Sequence, residues 1–246
     1  MGIMNKVLKW TTSNKLFAYP RRKLAKIVKQ IVESRGGLIS FNLTPDSIEA
    51  LRVVEKIRVE IPPSMTQHEA IQIYKYVRRT EKIDGDIVEV GVYRGGSAKL
   101  ICEANRVGSR QREVYLFDTF EGLPEPTKED SEKFTKGQFA SSLEQVEKYL
   151  VEYQFVKIYK GLFPTTAESI KDKHFSFVHL DVDLYQETLN SLRFLYPRMT
   201  RGGVIISHNY TDTPGVKKAF DEFLLANPEI LIELGDSQCM IVKLGV

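Results

Sequence analysis

The sequence predicts an α/β fold with a mostly parallel sheet, and three observations support that prediction. After Lys82 the chain alternates between short apolar runs typical of strands and longer stretches with helical spacing. The first strand-like run, Asp86 to Val90, passes through a glycine-rich bend into a helical pattern that begins at Ser97. Several of these runs also end in an acidic residue or a glycine. Together they predict a Rossmann-like sheet in residues 81–246, preceded by a basic helical extension or lid in residues 1–80.

The spacing of apolar residues predicts three helices in the extension. The first begins at Leu24 and ends at the two glycines after Arg35. The second begins at Pro45, because proline is favoured in the first turn of a helix, and it ends before two consecutive prolines. The third follows Thr66, whose hydroxyl can cap the helix while Glu69 reaches back to complete a capping box.

The alternating part of the chain predicts seven strands. Helical patterns separate them, except for the last two, which are predicted to form a hairpin around Gly235-Asp236. The polar segment from Thr119 to Ala140 is long for a compact fold, and loops of that length are usually lids or binding loops. The predicted strands cover residues 86–90, 114–117, 155–159, 175–180, 202–207, 230–233 and 239–243.

Composition indicates a globular protein from a reducing compartment. The 246 residues include two cysteines, Cys102 and Cys239, which lack the C-x-x-C spacing of a metal or redox motif. No apolar run approaches the roughly 20 residues that span a bilayer, and the N-terminal residues lack the pattern of a signal peptide. We therefore expect a cytoplasmic protein, and we expect it to form a homo-oligomer.

Positive charge is concentrated near the start of the chain. The formal net charge is +3, yet residues 1–30 contain eight Lys or Arg residues and no acid, so the remainder is net acidic. Such a basic arm favours weak contact with an anionic membrane surface or another anionic partner. The alternative is a helix face whose charges are simply solvated. We expect no nucleic-acid partner.

The carboxyl ends of the predicted strands bring chemically active residues together. In an open α/β sheet these ends face one crevice, where glycines let the backbone approach a ligand and helix N–H groups point outward. We therefore predict a site for a nucleotide-like cofactor. The candidate residues are Glu89, Gly91, Tyr93, Arg94, Gly95, Gly96, Ser97, Asp118, Gly161, Asp181, His208 and Asn209.

The glycine turn favours S-adenosylmethionine over other nucleotide-like cofactors. It lacks the Gly-x-Gly-x-x-Gly order expected for NAD and the Gly-Lys-Ser/Thr ending of a P-loop. The Glu89 carboxylate suits a cationic group better than a pyrophosphate, and Asp118 is placed to accept hydrogen bonds from ribose hydroxyls. S-adenosylmethionine carries a sulfonium, an ammonium and a ribose. The alternative is a tight turn that needs its glycines only for packing.

Three residues at the ends of two neighbouring strands predict a metal site. Asp181, His208 and Asn209 are side chains able to coordinate a divalent ion. Such an ion would acidify a bound hydroxyl, as methyl transfer to an alcohol requires. The alternative is that Asp181 caps the next helix and that His208-Asn209 form a turn. Asp183 could support this group or cap a helix, and the histidines other than His208 are predicted to be structural.

Several ordered motifs resemble the macrocin O-methyltransferase family over about residues 63–246. They are the turn from Asp86 to Ser97, the segment Phe117 to Pro124, Lys160 to Phe163, and His179 to Tyr185. The pairs Tyr196-Pro197 and Gly202-Gly203 and the stretch 210–219 fit the same pattern.

The resemblance implies a class I S-adenosylmethionine-dependent methyltransferase with a seven-stranded sheet whose last strand is antiparallel. It implies O-methylation of a sugar hydroxyl, assisted by magnesium, on a glycosylated natural product or a surface saccharide. Glu89, Gly91 and the glycine turn would hold the methionine part, Asp118 the ribose and Asp181 the metal. Residues 119–140 would form a lid over the substrate.

One departure from the family pattern bears on catalysis. The family usually has two aspartates where this chain has His208-Asn209, and the asparagine resembles the catechol-type methyltransferases. The predicted ion is Mg²⁺ or Mn²⁺. Because an imidazole moves metal preference from magnesium toward manganese, iron, nickel or zinc, the alternative is an altered or absent metal with His208 as a general base. Asp181 and His208 are the predicted catalytic residues. The alternative functions are a catechol-type phenol O-methyltransferase and a cofactor-binding protein that has lost catalysis.

Overall fold

The fold is described from a computed structural model, which covers residues 45–245. The chain divides into two compact units, Met1–Ile48 and Glu49–Val246. The second unit begins ahead of the predicted boundary at residue 81, so it includes residues 49–80 of the predicted extension together with the sheet. The helix predicted from Leu24 and the basic arm lie outside the described residues.

The helices and strands follow the predicted order. Strand β5 starts earlier than predicted because Met199 pairs with Phe175 of the neighbouring strand, ahead of a register shift. Two short 3₁₀ turns lie at Ala167–Ile170 and Tyr196–Arg198. The elements are α1 Pro45–Glu60, α2 Gln67–Arg79, β1 Asp86–Val90, α3 Gly96–Arg106, β2 Val114–Asp118, α4 Leu143–Tyr149, β3 Val156–Lys160, β4 Phe175–Leu180, α5 Tyr185–Leu195, β5 Met199–Ser207, α6 Pro214–Ala226, β6 Leu231–Gly235 and β7 Gln238–Val242.

The sheet has the strand order β3-β2-β1-β4-β5-β7-β6. Strands β1 to β5 pair in parallel, and β7 runs antiparallel to both of its neighbours. This confirms the mostly parallel, seven-stranded sheet and its antiparallel last strand. The order reverses between β1 and β4, and a crevice at such a switch point is where open α/β sheets bind ligands.

Apolar packing holds the ends of the central strands in place. Every residue of β4 is buried, and its side chains share one core with those of β1, β2, α5 and α6. Each fully buried large apolar side chain contributes about 1.5–3 kcal/mol to folding. The packed core therefore holds the residues that follow these strands in fixed positions. Within residues 45–245, no helix is long and apolar enough to cross a membrane.

The start of α2 confirms the predicted capping box. The Thr66 hydroxyl accepts from the Glu69 backbone N–H, and the Glu69 carboxylate accepts from the Thr66 backbone N–H at 2.9 Å. Helix α2 then packs against α3 and contacts β6. The first turn of α2 is thereby brought to the edge of the crevice.

Candidate active site

A cavity of about 440 Å³ lies at the carboxyl ends of the central strands. That volume falls within the range of about 300–1,000 Å³ that is usual for small-molecule sites. Its walls come from the glycine turn, the end of β2, residues 119–139 and the segments that follow β4 and β5. Eight candidate residues line it, namely Gly91, Tyr93, Ser97, Asp118, Gly161, Asp181, His208 and Asn209.

The glycine turn brings the end of β1 against the end of β4. Gly91 has a φ of +90°, and a Cβ at this position would lie 2.0 Å from the Asp181 carbonyl oxygen. Only glycine tolerates both conditions. Gly95 caps α3 with a φ of +84°, and Arg94 is exposed, with its guanidinium 5.0 Å from the centre of the Tyr93 ring. Neither Gly95 nor Arg94 lines the cavity, and Gly96 does not line it either.

Asp118 holds the glycine turn and the start of the long segment in place. One carboxylate oxygen accepts from the backbone N–H groups of Val92 and Tyr93 at 2.7 and 2.8 Å. The other accepts from the Phe120 N–H at 2.7 Å. A carboxylate has about four lone-pair sites, so acceptor capacity remains for the hydroxyls of a ribose.

Glu89 lies outside the lining of the cavity. Its side chain is fully buried, and Oε1 lies 2.8 Å from Nδ1 of the equally buried His179. The two residues face each other in the register between β1 and β4. The pair connects the strands on both sides of the switch point, and its position beneath the cavity could not be read from either residue's local sequence.

His208 lies between two carboxylates at the wall of the cavity. Its side chain is 5% exposed; Nε2 is 3.3 Å from Glu69 Oε2 and Nδ1 is 3.4 Å from Asp181 Oδ2. Burial disfavours the charged imidazole, but the Asp181 and Glu69 carboxylates outweigh it and raise the pKa of His208 to about 10. The same cation lowers the pKa of Asp181 against the effect of its burial.

Glu69 is a site residue that sequence reasoning missed. Besides capping α2, it accepts hydrogen bonds from the backbone N–H and the hydroxyl of Ser237, at 3.1 and 2.6 Å. Burial would raise the pKa of Glu69, but the His208 side chain and these donors hold it well below its usual range. The local pattern predicts only a helix cap, because His208 and Ser237 are far away in the chain.

Asp183 also lines the cavity, and both Asp183 and Asn209 have a left-handed backbone conformation. Both residues have a φ of +61°, and the Asn209 amide donates a hydrogen bond to Asp183 Oδ1. Burial and the nearby Asp181 carboxylate raise the pKa of Asp183 to about 7. Neither aspartate caps α5; that helix begins with the Tyr185 N–H donating to Asp130 at 2.7 Å.

The long polar segment, for which a lid is predicted, lines one side of the cavity. Its side chains Lys133, Phe134, Gln138 and Phe139 line the cavity. Asp130 ties the segment to α5, and Glu129 pairs with Lys218 of α6 at 2.8 Å. The lid is therefore attached to the two helices that pack beside β4.

The three predicted metal ligands are engaged with protein partners. His208 faces a carboxylate at each ring nitrogen, and a protonated imidazole has no lone pair to offer a metal. Asn209 donates from its Nδ2 group to Asp183, and this bond leaves the lone pairs of its Oδ1 free. In residues 45–245, no three His, Cys, Asp or Glu side chains are grouped as a metal site requires.

The fold is that of class I Rossmann-like O-methyltransferases. The O-methyltransferase NovP superposes with a TM-score of 0.67 at 23% identity, covering 81% of this chain and 98% of that one. A Bacillus cereus O-methyltransferase solved in complex with S-adenosylhomocysteine gives a TM-score of 0.51 at 18% identity, covering 88% and 97%.

Within this class, the chain belongs to the macrocin-O-methyltransferase (TylF) family, whose model matches residues 64–234. It is 34% identical over 141 residues to the 8-demethyl-8-(2,3-dimethoxy-alpha-L-rhamnosyl)-tetracenomycin-C 4'-O-methyltransferase of Streptomyces olivaceus. That match covers 52% of this chain and 54% of the relative. The chain thus spans about half the length of the curated relative it matches.

Proposed function

We propose that this protein is an S-adenosylmethionine-dependent O-methyltransferase acting on a sugar hydroxyl of a glycosylated natural product or a surface saccharide. The main support is one cavity in which the glycine turn and Asp118 face Asp181, Asp183 and His208. Membership of the macrocin-O-methyltransferase family supports the reaction. The rhamnosyl acceptor in the name of the Streptomyces olivaceus relative supports a sugar as substrate.

In this proposal the cofactor occupies the part of the cavity beside β1 and β2. Gly91, Tyr93 and Ser97, which line the cavity, bind the methionine end, and the remaining lone pairs of Asp118 accept from the ribose. Phe117, Phe134 and Phe163 in the same lining offer apolar and aromatic surface to the adenine. The S-adenosylhomocysteine bound to the Bacillus cereus structure of the same fold supports this choice of cofactor.

The residues at this site do not fit the divalent metal that the family resemblance implies. A magnesium or manganese ion requires free oxygen or nitrogen lone pairs, whereas the His208 imidazole, held as a cation between the Glu69 and Asp181 carboxylates, offers none. The positive charge beside Asp181 is supplied by His208 itself. With its pKa near 10, His208 is protonated at neutral pH and therefore does not act as the general base.

Asp183 is the group we assign to proton removal. Its pKa of about 7 is close to the working pH, which is the condition for an efficient general base. The acceptor oxygen attacks the sulfonium methyl carbon as the S–CH₃ bond breaks, and its proton passes to the Asp183 carboxylate. The His208 cation stabilises the negative charge that develops on that oxygen.

Calorimetry with S-adenosylhomocysteine tests the cofactor assignment, and we expect saturable binding. Absence of both heat and a thermal shift at millimolar ligand would overturn it. Methyl transfer to a panel of glycosides and catechols then tests the acceptor. Transfer to catechols alone would favour the phenol methyltransferase, and cofactor binding without any transfer would favour a protein that has lost catalysis.

Treatment with EDTA tests the proposal that His208, and not a metal ion, supplies the positive charge beside Asp181. We expect the EDTA-treated protein to keep its methyl-transfer rate, because no step relies on a bound metal. Loss of activity that Mg²⁺ or Mn²⁺ restores would contradict this part of the proposal and leave the cofactor assignment unaffected.

A further inference from the structure

A buried pair of ionisable residues lies beneath the cavity and takes no part in the proposed mechanism. It consists of Glu89 in β1 and His179 in β4, and the side chains of both are 0% exposed. Burying such a pair costs desolvation, and two apolar side chains of similar volume often stabilise a fold equally well or better. Packing between the two strands therefore does not by itself account for a carboxylate and an imidazole at these positions.

The pair is connected to the cavity through His208. The His208 backbone N–H donates at 2.9 Å to the carbonyl of Leu180, the residue after His179. The two imidazole rings meet with their centroids 5.5 Å apart and their planes at 72°. An edge-to-face contact at this distance is attractive, and it restricts the rotation of both rings. The His208 ring is thus held by His179 in addition to the carboxylates of Asp181 and Glu69.

Glu89 fixes the orientation of the His179 ring. Glu89 Oε1 lies 2.8 Å from His179 Nδ1, and a carboxylate only accepts hydrogen bonds, so Nδ1 carries a proton. His179 Nε2 has no hydrogen-bond partner within residues 45–245. In this part of the chain, the contact with Glu89 is therefore the one hydrogen bond that holds the ring. Removal of the Glu89 charge should loosen the ring that packs against His208.

We propose that Glu89 and His179 are positioning residues for methyl transfer. Glu89 fixes the His179 ring, and the His179 ring holds the His208 imidazole beside the acceptor oxygen. This inference rests on the proposed function, in which the His208 cation stabilises the charge that develops on that oxygen. Because a misplacement of about 1 Å can lower a rate about 100-fold, a contact that restrains His208 bears directly on kcat. Glu89 thereby acts on the acceptor side of the reaction and not at the methionine end of the cofactor.

NMR spectroscopy tests the contacts in the full chain, with isotope-labelled histidine and saturating S-adenosylhomocysteine. The chain contains only four histidines, so their imidazole signals can be assigned individually. We expect a protonated Nδ1 on His179 and nuclear Overhauser effects between the rings of His179 and His208. Glu89→Gln should shift the ring signals of both histidines. An unprotonated Nδ1 on His179, or His208 signals that Glu89→Gln leaves in place, would overturn the proposal.

Glu103→Gln is the matched control, because it makes the same change at another buried carboxylate. Glu103 lies in α3, and its Oε1 accepts from the Tyr153 hydroxyl at 2.8 Å. The control should leave the signals of His208 unchanged, and both variants should bind S-adenosylhomocysteine within twofold of the unaltered protein. Equal shifts of His208 in the two variants would overturn the proposal. So would a tenfold loss of affinity for S-adenosylhomocysteine in Glu89→Gln alone, because it would return Glu89 to the methionine end.

A double variant separates positioning from packing. Glu89→Leu/His179→Leu replaces the pair with apolar side chains, so the fold and the affinity for S-adenosylhomocysteine should be preserved. With the best acceptor from the panel of glycosides and catechols, we expect kcat to fall at least about tenfold while the acceptor KM stays within about twofold. Glu89→Gln should show the same split, and Glu103→Gln should not. A kcat equal to that of the unaltered protein would show that the pair only packs the strands, and would overturn the proposal.

The unaltered protein separates this proposal from the proposed function. Its failure to bind S-adenosylhomocysteine, or to transfer a methyl group to any acceptor of the panel, would refute the proposed function. The NMR comparison needs no acceptor, so a failure confined to it overturns the positioning role of Glu89 and His179 and leaves the proposed function intact.

Discussion

Replacing Glu69 with glutamine should weaken the ion pair that holds His208 in its charged form. The side chain keeps its size, and its amide oxygen can still accept from Ser237, but the NH₂ group that replaces Oε2 cannot accept from the Thr66 backbone N–H. The substitution therefore removes one cap hydrogen bond and one of the two negative charges beside the imidazole. We therefore expect Glu69→Gln to destabilise the fold without changing its architecture.

The size of the effect follows from the pKa of His208. The rise from 6.5 to about 10 corresponds to about 5 kcal/mol, since each pKa unit is about 1.4 kcal/mol. Asp181 and Glu69 share this stabilisation at similar distances, 3.4 and 3.3 Å. Loss of Glu69 should lower the free energy of unfolding by about 2 kcal/mol, or the melting temperature by about 4–8 °C for a domain of this size.

The pH dependence of this effect has a definite sign. The folded pKa of His208 is raised, so its contribution is complete below its unfolded pKa and is lost as the pH rises toward about 10. The folded pKa of Glu69 is lowered, so its contribution is present above its unfolded pKa and is lost on acidification. The difference between the two proteins should therefore be largest near pH 6 and should shrink above pH 9.

Urea denaturation at pH 6, 7.5 and 9.5 provides the measurement. Glu147→Gln, which removes an exposed carboxylate from α4, is the matched control and should change stability by less than about 0.5 kcal/mol. Equal stabilities of the two variants would refute the ion-pair argument. So would a difference that grows as the pH rises.

Three further variants test the cavity. Gly91→Ala should abolish cofactor binding and lower the free energy of unfolding by about 2 kcal/mol or more, because its Cβ would lie 2.0 Å from the Asp181 carbonyl oxygen. Gly96→Ala is the control and should be tolerated, because a Cβ at that position has no atom within 4 Å. Similar melting temperatures for both would contradict this. Asp183→Asn should reduce kcat about 100-fold or more while the affinity for S-adenosylmethionine stays within twofold; unaltered kcat would exclude Asp183 as the base. Asp130→Ala should cost about 1 kcal/mol and speed hydrogen exchange in residues 119–141, and unchanged exchange would show that this contact does not hold the lid.

Local patterns in the sequence were sufficient to predict the elements of the fold. The central strands β1, β2 and β4 are short, largely buried and bounded by turn residues, and the capping box at Thr66 depends on residues three positions apart. The glycine turn was also predictable, because a strand followed by glycines and a helix has few alternative conformations. The same patterns placed Asp118, Asp181 and His208 at strand ends and hence around one cavity.

The pairing of charges within the site could not be predicted, because it depends on register and on contacts between distant segments. Glu89 was predicted to face the cofactor, but the register between β1 and β4 places it against His179. The local sequence around Glu69 is fully explained by its role as a helix-capping residue. It therefore gives no sign that Glu69 contacts His208, which follows β5. The raised pKa of Asp183 depends on its burial beside Asp181, which no sequence pattern reports.

The position of His208 between two carboxylates affects how kinetic data on this protein should be interpreted. Glu69, His208 and Asp181 form one charged group at the wall of the cavity, so a change at any of the three alters that wall. A substitution there can raise the Michaelis constants of both substrates, and a single-substrate titration would assign the effect to whichever substrate was varied. Rates measured over a grid of both concentrations, together with inhibition by S-adenosylhomocysteine, would separate the two contributions.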